Sequence, residues 1–352
     1  MDAKLPRTLF LSRGNKAVAW YRCALPAIAL GCDWVCYGGE PPNLDLAWGK
    51  SEGELAFSDL ASYEVVIVQQ PAGAGWAKAI RDLQAKGVVV LADFDDDLHG
   101  VRKKRDHDFS AKFTKKRLAE FELGMRTADG VICSTEWLAQ RCARINPTTF
   151  VARNGIDLKR YALTLPEREH VAVGWSGATG HLEAATPWLQ QLAAFMRERE
   201  DVRFVSVGQR FADTFAEEFG ARRAFSVPFT ALDVYPSAMA NYDIALAPAG
   251  DSNFYRAKSD LRWLEASALG QATIAHPGVY PEIEHGVTGF HAATPGEMRE
   301  CLELLASDPD LRRRVGAAAK AHVTEHRNAQ VASRQWVEVL QSVVSAPVRN
   351  VG

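Results

Sequence analysis

The chain has 352 residues, 41 Lys plus Arg against 43 Asp plus Glu, a formal net charge of −2 and 47% hydrophobic residues. This is globular composition at a length suited to two domains, and it excludes a disordered, collagenous or disulfide-built chain. No apolar run approaches the ~18 residues of a membrane span, and residues 1–11 lack a stretch of secretory length, so a soluble cytoplasmic protein is expected. Cys23, Cys32, Cys36, Cys133, Cys142 and Cys301 are scattered without a CxxC pair or a nearby His cluster. They read as reduced thiols filling core, with no metal site.

Short apolar, β-branched runs alternate with helical patterns from end to end, which predicts parallel sheets covered by helices on both faces. In chain order the first series of strands falls at 8–11, 34–37, 65–69, 88–92, 131–134 and 149–151. A second falls at 171–175, 202–207, 224–227, 244–247 and 272–275. Two α/β units in tandem follow, residues 1–160 and 171–328, divided near 157–170 after the Asn154-Gly155 turn signal. The last helical pattern, 329–344, has no strand after it and is expected to cross back to the first domain.

Three segments carry candidate chemistry. Residues 258–270 read as a helix ending at Gly270, with Lys258, Arg262 and Glu265 spaced i, i+4, i+7 along one stripe. A helix that opens at the carboxyl end of a parallel strand points its N-terminus into the crevice where α/β sheets bind ligands, and cations there suit a diphosphate. The bland alternative is a solvated face with i, i+4 pairing. Gly174-Trp-Ser-Gly-Ala-Thr-Gly-His181 joins a strand to a helix and offers backbone to a phosphate, although it matches neither the Walker nor the GxGxxG pattern. Asp93, Asp95, Asp96 and Asp97 end a strand, where carboxylates can bind sugar hydroxyls or accept a proton. Four so close repel unless hydrogen-bonded or exposed, so one or two are expected to face a site.

Residues 102–117 hold eight basic residues against Asp106 and Asp108. Such a run attracts polyanions, nucleic acid or an anionic bilayer surface, or else is a solvated helix face.

Lys258-Ser259, Leu261-Arg-Trp-Leu-Glu265, Ala268-Leu-Gly270, Gly278-Val-Tyr-Pro-Glu282 and Gly286-Val-Thr-Gly-Phe290 together resemble the nucleotide-sugar-binding half of the retaining family 4 glycosyltransferases. Arg153-Asn-Gly-Ile-Asp157, the 128–135 segment, the 174–181 loop and the Asp93–Asp97 cluster extend the likeness to a divergent branch of that family. The resemblance implies the GT-B fold, two Rossmann-like domains with parallel sheets facing across a cleft. It also implies sugar transfer from a nucleoside-diphosphate sugar with retention, without metal or other cofactor.

Placed residue by residue, the resemblance puts Glu265 on the donor ribose and Lys258 on the diphosphate. Gly177, Thr179, His181, Ser259 and Arg262 would complete the donor site, with Asp95 and Asp96 against the transferred sugar. The family's usual first glutamate is Ala257 here, and the loop cations are missing from Gly180-His-Leu-Glu183. Lys258 and Arg262, with Arg22 from the opposite domain, are expected to replace them. Arg22, Lys103, Lys104 and Arg105 are the candidate anion or acceptor contacts; the acceptor could be DNA, RNA or an anionic membrane lipid, the last placing the protein at a membrane surface. A nucleotide-sugar epimerase or hydrolase, and a non-catalytic binding module, remain open as rivals.

Overall fold

The computed structural model describes residues 5–14, 16–36, 48–50, 53–55, 60–102 and 110–345. Its strands are β1 (Thr8–Ser12), β2 (Asp33–Cys36), β3 (Trp48–Lys50), β4 (Gly53–Leu55), β5 (Val65–Gln69), β6 (Val89–Phe94), β7 (Gly130–Cys133), β8 (Thr149–Val151), β9 (Val171–Gly177), β10 (Val202–Gly208), β11 (Ala224–Val227), β12 (Ile244–Ala247), β13 (Ala272–Ala275) and β14 (Phe290–His291). They form two six-stranded parallel sheets, ordered β2-β1-β5-β6-β7-β8 and β11-β10-β9-β12-β13-β14, plus the antiparallel β3-β4 hairpin. This is the two-unit α/β architecture of the GT-B fold. The hairpin and β14 escape the periodicity reading because each is only two or three residues long.

Continuous apolar runs make the central strands. β1 and β5 are buried at every position, as strands covered by helices on both faces must be. In the first sheet, Trp76, Ile80 and Leu83 of the Ala74–Gln84 helix pack under Leu9, Val66 and Val68. In the second, Trp188, Leu192 and Phe195 of the Leu182–Glu198 helix pack on Val173, Phe204 and Ile244.

The final helix, Ala329–Ser345, lies against the Leu25–Leu30 helix of the first half. Trp336 is buried on it, with its ring edge-on to Phe10 of β1 at 5.4 Å and the Arg22 guanidinium 4.9 Å above it. The chain thus crosses between the halves twice, at neighbouring places. Ile156 N–H donates to the Arg327 carbonyl (2.9 Å) and Ala329 N–H to the Ile156 carbonyl (3.0 Å). Gly155 lets the segments meet, since a Cβ there would stand 2.7 Å from the Ala332 Cβ. Among the described residues no helix is long and apolar enough to cross a membrane. The six cysteines are free thiols, four of them buried.

Candidate active site between the two sheets

The carboxyl ends of both sheets meet across one cleft, the place where open α/β sheets bind ligands. In the second half β9 ends at Gly177, whose φ of 152° lies in a region L side chains rarely adopt. A Cβ there would overlap Nη2 of Arg262. Arg262, in the first turn of the Leu261–Leu269 helix, lays its guanidinium 5.1 Å from the Trp175 ring centroid. Glycine, tryptophan and arginine thus form one unit: the missing side chain admits the cation to the loop, and the indole holds it flat.

Glu265, one helical turn further on, is almost fully buried. Its Oε1 accepts from the Tyr21 hydroxyl at 2.8 Å and its Oε2 from the Tyr235 hydroxyl at 3.3 Å. The hydroxyls of Tyr21 and Tyr161 are 2.9 Å apart. Burial pushes the Glu265 carboxyl up to about 7, opposed by the Tyr21 hydrogen bond and the Arg262 charge. Tyr21 comes from the first half, on a one-turn π-helix, Trp20–Ala24, so the carboxylate expected to hold a ribose already holds a hydroxyl from across the cleft.

Lys258 departs from the expected stripe. The helix begins at Leu261 rather than 258, because Asp260 has a non-helical backbone and its carboxylate is bound by Arg327 at 2.6 and 3.0 Å. Lys258 therefore lies in the preceding turn. Its ammonium is 2.5 Å from Asp96 of the first half and 4.5 Å over the Phe254 ring. Ser259 accepts from Asn154 Nδ2 (2.9 Å), and Thr135 Oγ1 donates to the Ala257 carbonyl (3.1 Å). Beside Lys258 the cleft opens into a space of about 460 Å³ bounded by Ser134, Trp137, Arg256 and Val279.

The four clustered aspartates avoid mutual repulsion by taking four different partners. Asp93 is buried against Arg22 (2.5 Å), Asp95 accepts from Gln70 Nε2 (2.9 Å), Asp96 faces Lys258, and Asp97 faces Arg141 (3.0 Å). Only Asp95 and Asp96 are partly exposed. Burial, then Asp96, raises the Asp95 carboxyl to about 7, with Lys258 opposing.

Arg22 is not at the cleft surface as expected. It is 1% exposed, and besides Asp93 it donates to the Ala152 carbonyl (2.5 Å) and Asn154 Oδ1 (3.1 Å). A cation this deep balances a buried carboxylate inside the first domain and is unavailable to a ligand. Thr179 and His181 lie in the short turn after β9, with the His181 ring 6.2 Å from that of Tyr255. Lys103, Lys104 and Arg105 lie outside the described residues. Of the rest of the basic run, Lys112, Lys115 and Lys116 are exposed and Arg117 pairs with Glu120 at 2.9 Å.

Sequence reasoning missed Tyr21, Tyr161 and Tyr235, which come from three separate segments and carry no joint spacing. It also missed Gln70 and the network in which Arg153 bridges Glu136 and Glu282 while Arg327 binds Asp260 and Glu282. Among the described residues no three His, Cys, Asp or Glu side chains are grouped to hold a metal ion.

Two parallel α/β units whose strand ends meet across one cleft define a GT-B protein. Residues 187–338, within the second half, match the model of a family described as glycosyl transferase-like. The whole chain superposes on HepE from Anabaena, solved in complex with UDP and glucose, with TM-score 0.64, 17% identity, and 96% of this chain and 100% of that one covered. It is similar in the same way to a sucrose-phosphate synthase from Thermosynechococcus elongatus, with TM-score 0.69, 14% identity, and coverage of 97% and 100%. For TarM from S. aureus the TM-score is 0.58 and the identity 14%, over 82% of this chain and 59% of that one. No curated protein sequence matches at significant similarity.

Proposed function

We propose that this protein is a glycosyltransferase that moves a sugar from a nucleoside-diphosphate sugar to an acceptor, with retention and without metal. The observation that carries the reading is the unit Gly177–Trp175–Arg262. It is a fixed guanidinium under a glycine loop at the carboxyl end of a parallel strand, with a second cation, Lys258, on the same side of the cleft just before the Arg262 helix. Two cations supply what a departing diphosphate needs as the glycosidic bond breaks, since charge develops there in the transition state. The donor's arrival exchanges partners at two places: phosphate replaces Asp96 on Lys258, and a ribose hydroxyl replaces Tyr21 on Glu265. Asp95 and Asp96 then face the transferred sugar. The uridine diphosphate in the HepE complex makes uridine diphosphate sugars the first donors to test.

The acceptor site belongs to the first domain, whose exposed Lys112, Lys115 and Lys116 favour an anionic acceptor. Binding to such a partner falls steeply with salt, and charge reversal at these lysines flattens the slope. The test of the donor reading is a thermal-shift panel of UDP, GDP, ADP and their sugars. A ligand at 100 times its Kd stabilises by about 2.7 kcal/mol. No shift with any nucleoside diphosphate removes the proposal.

A further inference from the structure

Among the described residues one non-glycine position has a positive φ: Gln70, at 48°, directly after β5. The conformation is unfavourable twice over. Left-handed backbone is rare outside Gly, Asn and Asp, and Pro71 follows, which restricts the preceding residue to extended conformations. Strain of this kind persists where surrounding contacts over-determine it, and it gathers at functional sites.

Here the contacts are explicit. Gln70 N–H donates to the Asp93 carbonyl at 2.9 Å, and its side-chain Nε2 donates to Asp95 Oδ1 at 2.9 Å. The strained turn folds one residue over the carboxyl end of β6 and fastens it at two points, backbone and side chain. Of the four aspartates there, Asp93, Asp96 and Asp97 face cations, whereas Asp95 is held by a neutral amide. An amide fixes a carboxylate without neutralising it.

We propose that Gln70 is a positioning residue for sugar transfer: it holds one oxygen of Asp95 so that the other meets a sugar hydroxyl in the cleft. This rests on the sugar-transfer reading above. The charged groups around Asp95 are Asp93, Asp96, Lys258 and Arg22, and Gln70 adds direction to their field.

The test uses the full chain with Gln70→Leu, which removes the amide and keeps the bulk, and Gln70→Gly, which removes both amide and strain. Donor turnover, thermal melting and carbon-13 carboxyl NMR titration of Asp95 are measured for each. Both variants are expected to lose about tenfold in kcat, with the donor KM within about twofold of wild type. Asp95 should titrate at higher pH in both, since a hydrogen bond to the charged form is lost. Gln70→Gly should melt at or near the wild-type temperature, because the strain goes with the side chain. Wild-type kcat together with an unmoved Asp95 titration in Gln70→Gly overturns the proposal, as does a kcat loss that only tracks lost melting temperature. The titration needs no turnover. A wild-type chain that neither binds nor turns over any nucleotide sugar overturns the sugar-transfer reading, and this role with it, whereas an unmoved titration in a chain that does turn donors over overturns the Gln70 role alone.

Discussion

Replacing Lys258 by Met or Asp96 by Asn separates a structural ion pair from a working one. The two side chains are 23% and 20% exposed and 2.5 Å apart, a partly solvated pair of the kind worth about 0.2–1 kcal/mol to folding. Either substitution should therefore cost at most about 1 kcal/mol, a melting shift of roughly 2–4 °C for a domain of this size. Their effects on the donor should have opposite signs. Lys258→Met deletes one of the two cations proposed for the diphosphate, and loss of one such group typically costs ~10²–10³ in rate. Asp96→Asn deletes the competitor for that cation; if the pair's ~1 kcal/mol is released to the ligand, UDP binds up to about fivefold tighter. Calorimetry with UDP and initial rates with UDP-sugars, alongside melting curves, read all three quantities. Wild-type turnover in Lys258→Met, or equal loss of UDP affinity in both variants, refutes the assignment.

Three further outcomes follow from the geometry. Arg22→Met leaves Asp93 buried without its partner and should destabilise the first domain by about 3–5 kcal/mol, while the double change Arg22→Met with Asp93→Leu recovers much of it in denaturant melts. Glu265 has its folded-state value raised to about 7 from 4.5, so the folded chain holds a proton the unfolded chain has lost; its contribution to stability falls as pH rises from about 4.5 to 7, and Glu265→Gln should flatten that part of the stability–pH curve. Gly177→Ala forces a side chain into the space of the Arg262 guanidinium and should weaken UDP binding at least tenfold, while strain at the positive φ costs about 1–3 kcal/mol in melting.

The fold was legible because its signal is local. Central strands such as Val65–Gln69 and Ile244–Ala247 are short runs buried at every position, and each lies ahead of a helical stretch. The meeting of Gly177, Arg262 and Glu265 was legible for a related reason: Arg262 and Glu265 share a helix, and Gly177 ends a strand beside it. The rest depended on distance along the chain. Helical spacing placed Lys258 on the stripe, but Arg327, nearly seventy positions away in the chain, decides where the helix begins by binding Asp260. Arg22 read as a free cation because its partner Asp93 is a strand-end residue whose burial is a property of the sheet. The tyrosines around Glu265 had no pattern to betray them, since a hydroxyl 2.8 Å away contributes nothing to periodicity.

The return of the last helix has a consequence for the order in which the molecule is made. The unit that leaves the ribosome first lacks the Trp336 surface that covers Phe10 until the final segment has been synthesised, whereas the second unit has all its strands and their covering helices earlier. Domains generally fold as they emerge, but here the later one can finish first, while the earlier one waits with an uncovered apolar flank. Truncation before residue 329 should therefore harm the amino-terminal half, far from the cut in sequence, and leave the carboxyl-terminal sheet folded.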